Sequence, residues 1–163
     1  MTQGQGLWRP IFAAALTAIL VATLGALITD LGPWYVALRK PVWQPPDWLF
    51  GPAWTLIFGL AALAAVLAWR HAQERRERWR MIGLYALNLS LNVLWSVLFF
   101  RLHRPDWALA EVGFLWLSIA ALMAGLWALS RTASGLLLPY LAWVSFAAFL
   151  NWTIVQINAP FSS

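Results

Sequence analysis

Residues 81–100 read MIGLYALNLSLNVLWSVLFF, a run without one charged side chain. A helix rises about 1.5 Å per residue, so a run of this length covers about 30 Å, the hydrocarbon thickness of a bilayer. The segment therefore reads as a membrane-spanning helix. Four more segments have the same character, at 10–28, 52–69, 107–129 and 136–157. The expected fold is an all-α membrane protein. It is a five-helix transmembrane bundle forming a single domain over residues 1–163, with a long aromatic, proline-rich first loop.

Composition supports that reading. The chain is 62% hydrophobic and 10% charged, against about 25% charged residues in an ordinary soluble domain. Too little polar surface is present to coat a water-soluble globule. The first apolar run, 11–28, exceeds the h-region of a signal peptide, and no small-x-small cleavage site follows it. It is expected to be a retained first helix.

Several chemistries are excluded or disfavoured. There is no cysteine, hence no disulfide, thiolate metal site or Cys nucleophile. His71 and His103 lie in charged stretches between apolar runs, and no metal site is expected. There is no Gly-rich phosphate loop, no Ser-His-Asp set and no chain of buried acids of the kind that proton-coupled transporters use. No cofactor is required and conventional acid–base catalysis is not expected. The net charge of +5 comes largely from Arg70, Arg75, Arg76, Arg78 and Arg80. Such a cluster fits a membrane-flanking loop better than a nucleic-acid footprint, so the expected surroundings are a lipid bilayer, with no nucleic acid. With Arg9 and Arg131 these residues fall on one side of the membrane. Arg39, Lys40, Arg101 and Arg104 fall on the other. The excess places the N-terminus in the cytoplasm. Glu111 is the one acid inside an apolar segment. It lies near the start of the fourth and reads as interfacial.

The connections differ. RHAQERRERWR, at 70–80, reads as a solvated charged turn, while 101–106 and 130–135 are short and make antiparallel neighbours. The first connection is long and unusual: TDLGPWYVALRKPVWQPPDWLFG, residues 29–51. Pro33, Pro41, Pro45 and Pro46 prevent one continuous helix. Trp34, Tyr35, Trp43 and Trp48 make it too aromatic for a flexible linker. It reads as a folded lid over one end of the bundle, with Trp34, Lys40, Trp43, Pro45 and Pro46 among its lid residues.

Three helices present aromatic faces. Asn88, Asn92, Trp95 and Phe99 fall at i, i+4, i+7 and i+11, one side of a helix. Trp143, Ala147 and Asn151 recur every four residues, with Asn158 seven further on, and the second helix offers Trp54 and Phe58. Convergence of these faces would make an apolar cavity with a few hydrogen-bonding groups, the usual form of a small-molecule pocket. The alternatives are interhelical hydrogen-bond glue for the asparagines and interfacial belts for the tryptophans.

The run WYVALRKPVWQPPDWLFGPAWTLIFG, at 34–59, resembles the signature of the TspO/MBR family, the tryptophan-rich sensory proteins and translocator proteins, also called peripheral-type benzodiazepine receptors. LNLSLNVLWSVLFF at 87–100 and LPYLAWVSFAAFLNWTIVQIN at 138–158 extend the resemblance. The first and fourth helices match only in hydrophobicity. The resemblance implies a homodimer of five-span subunits that binds porphyrins, such as haem and protoporphyrin, and synthetic drugs. It implies pocket positions at Tyr35, Trp54, Phe58, Asn88, Trp95, Trp143 and Ala147. Phe58 stands where many members have Tyr, and Asn88 where some have Gln. The residues after Asn158 carry no Leu/Val-Tyr-Arg/Lys pattern of the kind proposed for cholesterol.

The function these readings imply is that of a multi-pass receptor, sensor or transporter for porphyrins and similar apolar ligands in a bacterial cell membrane, with a regulatory role in tetrapyrrole metabolism. The rival is a light-dependent porphyrin-degrading enzyme that uses Trp54 and Trp143. A third reading is a bundle whose main work is scaffolding or lipid contact. For the dimer seam, two stripes of small residues are candidates. One is Ala14, Ala18, Ala22 and Ala26 on the first helix; the other is Gly83 with Leu87 and Ala86 with Ser90 on the third.

Overall fold

The computed structural model describes residues 8–161, and among these the regular structure is entirely helical. Helix α1 covers Trp8–Ile28 and a short α2 covers Pro33–Ala37. A 3-10 turn at Asp47–Leu49 leads into α3, Phe50–His71. Helix α4, Arg75–Ser96, ends in a π-helical turn, Val97–Arg101. Helix α5 is Pro105–Trp127, a short α6 is Arg131–Gly135, and α7 is Leu138–Asn158. Four stretches are long and apolar enough to cross a membrane: Asp47–His71, Arg75–Arg101, Pro105–Trp127 and Arg131–Asn158. Helix α1 adds a further apolar helix. The side chains of Arg9, Ala18 and Ala22 lie outside the described residues.

The charged segment at 70–80 departs from the solvated turn expected of it. Only Ala72–Glu74 lies between α3 and α4, and the arginines from Arg75 onward form the first turns of α4. The reason is a capping box: Glu74 accepts from the backbone N–H of Glu77, and Glu77 accepts from the backbone N–H of Glu74 at 3.1 Å. These reciprocal bonds satisfy donors that a helix start leaves open, so the helix begins before the membrane does.

The long helices form a ring in which α1 packs on α3 and α4, α4 on α5, α5 on α7, and α7 closes on α3 over a short stretch. Large apolar side chains such as Phe12, Leu27, Leu56, Phe114 and Leu117 face outward and are more than half exposed in the isolated chain. That inversion of the usual rule suits a protein solvated by lipid. Helices in lipid gain little from hydrophobic association and rely on close packing. Gly125 of α5 illustrates it, because a Cβ there would sit 2.8 Å from the Leu84 side chain of α4. Alanines fill the seam at the basic end: Ala64, Ala68, Ala72 and Ala133 are fully buried against Leu122, Leu126 and Leu137.

Candidate functional site

The middle of the ring holds a hydrogen-bonded network joining α4, α5 and α7. Asn88 Nδ2 donates to Ser118 Oγ at 2.8 Å, and the Tyr140 hydroxyl donates to Asn88 Oδ1 at 3.2 Å. Asn92 Nδ2 donates to the Tyr140 oxygen at 3.3 Å, and Ser118 Oγ donates to the Leu115 carbonyl at 2.7 Å. Asn88 and Tyr140 are almost wholly buried. Each amide and hydroxyl in this set is met by another, as apolar surroundings require. Asn151 is also buried. With its amide turned to satisfy both atoms, it donates to the Pro105 carbonyl and accepts from the Leu109 N–H, each at 3.1 Å. Asn151 thus ties α7 to the start of α5 rather than standing free on the aromatic face. The sequence reading missed Ser118 and Tyr140. Tyr140 sits at i, i+4 and i+7 with Val144 and Ala147, so its place on the buried face was readable, but its partners were not.

Above this network the aromatic residues gather. Trp54 stacks on Phe58, ring centroids 5.2 Å apart, and presents its edge to Tyr140 at 6.0 Å. Trp143 meets Phe50 edge-on at 5.6 Å and Phe146 at 5.7 Å. Trp95 stacks on Phe99 at 5.1 Å. Trp54, Trp95, Trp143 and Tyr140 all pack around one cluster with Ile57, Val112, Leu115, Ile119 and Val144. Ala147 is half-buried on α7 between Trp143 and Asn151. The adjacent cluster, of Tyr35, Phe99, Ala108, Leu150 and Ile154, takes in Trp34 and Trp95 and joins the first loop to the bundle.

The loop is folded onto this end. The Tyr35 hydroxyl donates to Asp47 Oδ1 at 2.7 Å and accepts from Gln44 Nε2 at 3.2 Å. Burial and the hydrogen bond to Asp47 push the Tyr35 phenol above its ordinary pKa, so it remains a donor across the neutral range. Lys40 Nζ lies 3.5 Å from the centre of the Tyr35 ring and 4.0 Å from Asp47 Oδ2. Trp34 stacks on His103 at 4.2 Å, and His103 holds a left-handed backbone, φ 53°, a region that histidine visits more readily than most residues. Trp43 stacks on Phe149 at 5.2 Å and meets Phe146 edge-on at 6.0 Å. Pro45 and Pro46 lead into the Asp47–Leu49 turn. Asn158 closes the clasp: Oδ1 accepts from the Arg39 N–H at 2.8 Å, and Nδ2 donates to the Arg39 carbonyl at 2.9 Å and the Ile154 carbonyl at 2.8 Å.

Glu111, expected near the membrane interface from its position, is turned into the bundle rather than toward its surroundings. It is 6% exposed, and neither carboxyl oxygen has a hydrogen-bond partner among the described residues. The start of α5 at Pro105 puts it more than a full turn inside the helix, on the face turned inward. No group of three or more His, Cys, Asp or Glu side chains capable of holding a metal occurs among the described residues.

Long apolar helices in a ring, with aromatic walls above a buried polar network, define a multi-pass α-helical membrane protein. Residues 13–157 match the TspO/MBR family, and the chain belongs to it. It is 41% identical over 125 residues to the tryptophan-rich protein TspO of Chlorobaculum tepidum, covering 77% of this chain and 79% of that protein. It is 35% identical over 151 residues to the tryptophan-rich protein TspO of Archaeoglobus fulgidus, covering 91% and 97%. It is 36% identical over 155 residues to the translocator protein of Bos taurus, covering 93% and 91%.

Proposed function

We propose that this chain is a five-span membrane receptor that binds a porphyrin between α3, α4 and α7, beneath the 29–51 loop, and reports on tetrapyrrole supply. The observation that carries the reading is the gathering of Trp54, Trp95 and Trp143, each with a phenylalanine neighbour, around one cluster. A porphyrin is a broad flat π-system with acidic edges. Aromatic walls suit its faces, and Arg39 and Lys40 on the loop suit its propionates. Pocket residues under this reading are Tyr35, Trp54, Phe58, Asn88, Trp95, Trp143 and Ala147. Asn88 acts through the network that holds Tyr140 and α5 in place. Helix α1 supplies the fifth span. The basic start of α4 lies in the cytoplasm with the N-terminus, and the membrane is a bacterial cell membrane.

Titration of the purified protein with protoporphyrin, read by quenching of tryptophan fluorescence, tests it. Trp143→Ala and Trp54→Ala are each expected to lose about 1 kcal/mol of stacking beyond the lost area, a Kd roughly fivefold weaker or more. Unchanged affinity in both variants would remove these residues from the site. The same titration under controlled light separates a receptor from an enzyme: turnover that depends on Trp54 and Trp143 would establish porphyrin breakdown instead.

The protein is further proposed to be a homodimer through α4. Gly83, Ala86, Leu87 and Ser90 are exposed on the isolated subunit, and a Cβ on Gly83 would meet nothing within 4 Å. They lie away from the buried Asn88 and Asn92. Small residues on an outward face permit close backbone approach of a second helix. Ala86→Leu is expected to convert dimer to monomer in nanodiscs while protoporphyrin affinity stays at the wild-type value. A variant that remains dimeric would place the seam elsewhere.

A further inference from the structure

Glu111 is the buried side chain in the spanning helices whose polar atoms are left without a partner among the described residues. The polar groups around it are already paired with one another. Seven residues along the same stripe of α5, Ser118 is bonded to Asn88 and to the Leu115 carbonyl. Asn88, Asn92 and Tyr140 satisfy one another. The polar groups of the bundle centre are therefore closed among themselves, and none turns a donor to Glu111. Cations do not answer it either. Arg39, Lys40, Arg101 and Arg104 lie in the loops or at the helix ends on the lid side, and the other arginines of the described side chains cluster at the far end. On the buried face of α5, Ala108 packs in the cluster of Tyr35 and Phe99, while Val112 packs in the cluster around which Trp54, Trp95 and Trp143 gather. Glu111 thus stands where the two aromatic clusters meet.

A carboxyl group in apolar surroundings is costly unless a donor meets it, and ionisable groups inside membrane helices mark binding sites and pathways more than they stabilise folds. Whether charged or neutral, a carboxyl offers at least one acceptor oxygen. We propose that Glu111 is a ligand anchor: it accepts a hydrogen bond from an N–H or ammonium group carried by a flat aromatic ligand seated between the tryptophans. This rests on the pocket proposed above and adds to it a demand on ligand chemistry, a donor at the inner end of an aromatic body.

Carbazole and N-methylcarbazole are flat, apolar and fluorescent, and differ by the presence of one N–H donor. Their affinities would be measured for the wild type, Glu111→Gln and Glu111→Leu in nanodiscs, with helix content and unfolding followed for each variant. The wild type is expected to favour carbazole by about tenfold, the range of a hydrogen bond to a desolvated acceptor. Glu111→Gln keeps an acceptor oxygen and should keep most of the preference. Glu111→Leu should lower it to near unity. Comparing the two ligands across variants cancels general effects of the substitution on packing. If Glu111→Leu fails to fold, the wild type and Glu111→Gln still decide the matter, since a wild type without preference overturns the proposal. A preference equal in all variants, or no binding of carbazole, also overturns it. Protoporphyrin titration runs alongside. A wild type that ignores protoporphyrin but shows the Glu111-dependent preference removes the porphyrin reading and leaves this one. The reverse result removes this one alone.

Discussion

Tyr140→Ala is expected to destabilise the bundle by about 3–5 kcal/mol, the cost of a large buried side chain replaced by a void. Tyr140 is 2% exposed and belongs to the central cluster with Ile57, Ile119 and Val144. Packing density rather than water exclusion holds membrane helices together, so a void at the meeting point of three helices removes contacts that nothing replaces. The hydroxyl adds a second loss. It donates to Asn88 and accepts from Asn92, and truncation leaves a buried carbonyl and a buried amide N–H unpaired. Tyr140→Phe isolates that part. It keeps the ring and should cost about 1–2 kcal/mol, the upper range measured for interhelical hydrogen bonds in membranes. Reversible unfolding by denaturing detergent, followed by circular dichroism, measures both. Equal effects of the two variants would mean that the polar network, not the ring, holds the centre.

Asn158→Ala is expected to loosen the first loop without unfolding the helices. Two hydrogen bonds from this one side chain bind the backbone of Arg39 on both its N–H and its carbonyl, and the third ties Asn158 to its own helix. Each lost bond is worth about 1 kcal/mol, so the open form of the loop should grow by roughly 30-fold. Trypsin cutting between Arg39 and Lys40 reads that population when closing is faster than cleavage. A bound ligand should slow cutting in the wild type and partly restore protection in the variant. Cleavage rates that are the same in both proteins would show that Trp43 on Phe149 and Tyr35 on Asp47 hold the loop unaided.

The apolar runs were legible because a bilayer admits few charges over about 20 residues, and the helices at 52–69, 107–129 and 136–157 need only small adjustments at their ends. The third run was legible as hydrocarbon but not as a helix start, since membrane depth limits arginines whereas backbone hydrogen bonding does not. Glu74 and Glu77 supply the cap, and α4 begins six residues early. The face of Asn88, Asn92 and Trp95 followed from helical spacing. Its partners did not: Ser118 and Tyr140 come from other helices, and nothing local in the sequence says which hydroxyl meets which amide. The burial of Glu111 was not legible, because its position along the chain says nothing of which neighbouring helices cover it. Asn158 gave no hint of its contact with Arg39, 119 residues away.

The π-helical turn at Val97–Arg101 has a consequence for how α4 tolerates change. Leu102 donates to the Val97 carbonyl at 2.9 Å, five residues back instead of four. The turn thus absorbs one extra residue, and everything beyond it is rotated by about 100° relative to a straight continuation. Phe99 and Phe100 can then both contribute to the loop's aromatic contacts, with Trp34 and Tyr35 respectively, and Arg101 reaches the Leu27 carbonyl at the end of α1. The helix works as two gears on one shaft. The half bearing Asn88 and Asn92 is in phase with α5 and α7, and the last turn is in phase with the loop. Removing a single residue within 97–101 would re-mesh only the second gear, swinging Phe100, Arg101 and His103 off their partners while leaving the central hydrogen bonds untouched. Length variation at this point would let the loop end be re-cut independently of the bundle centre.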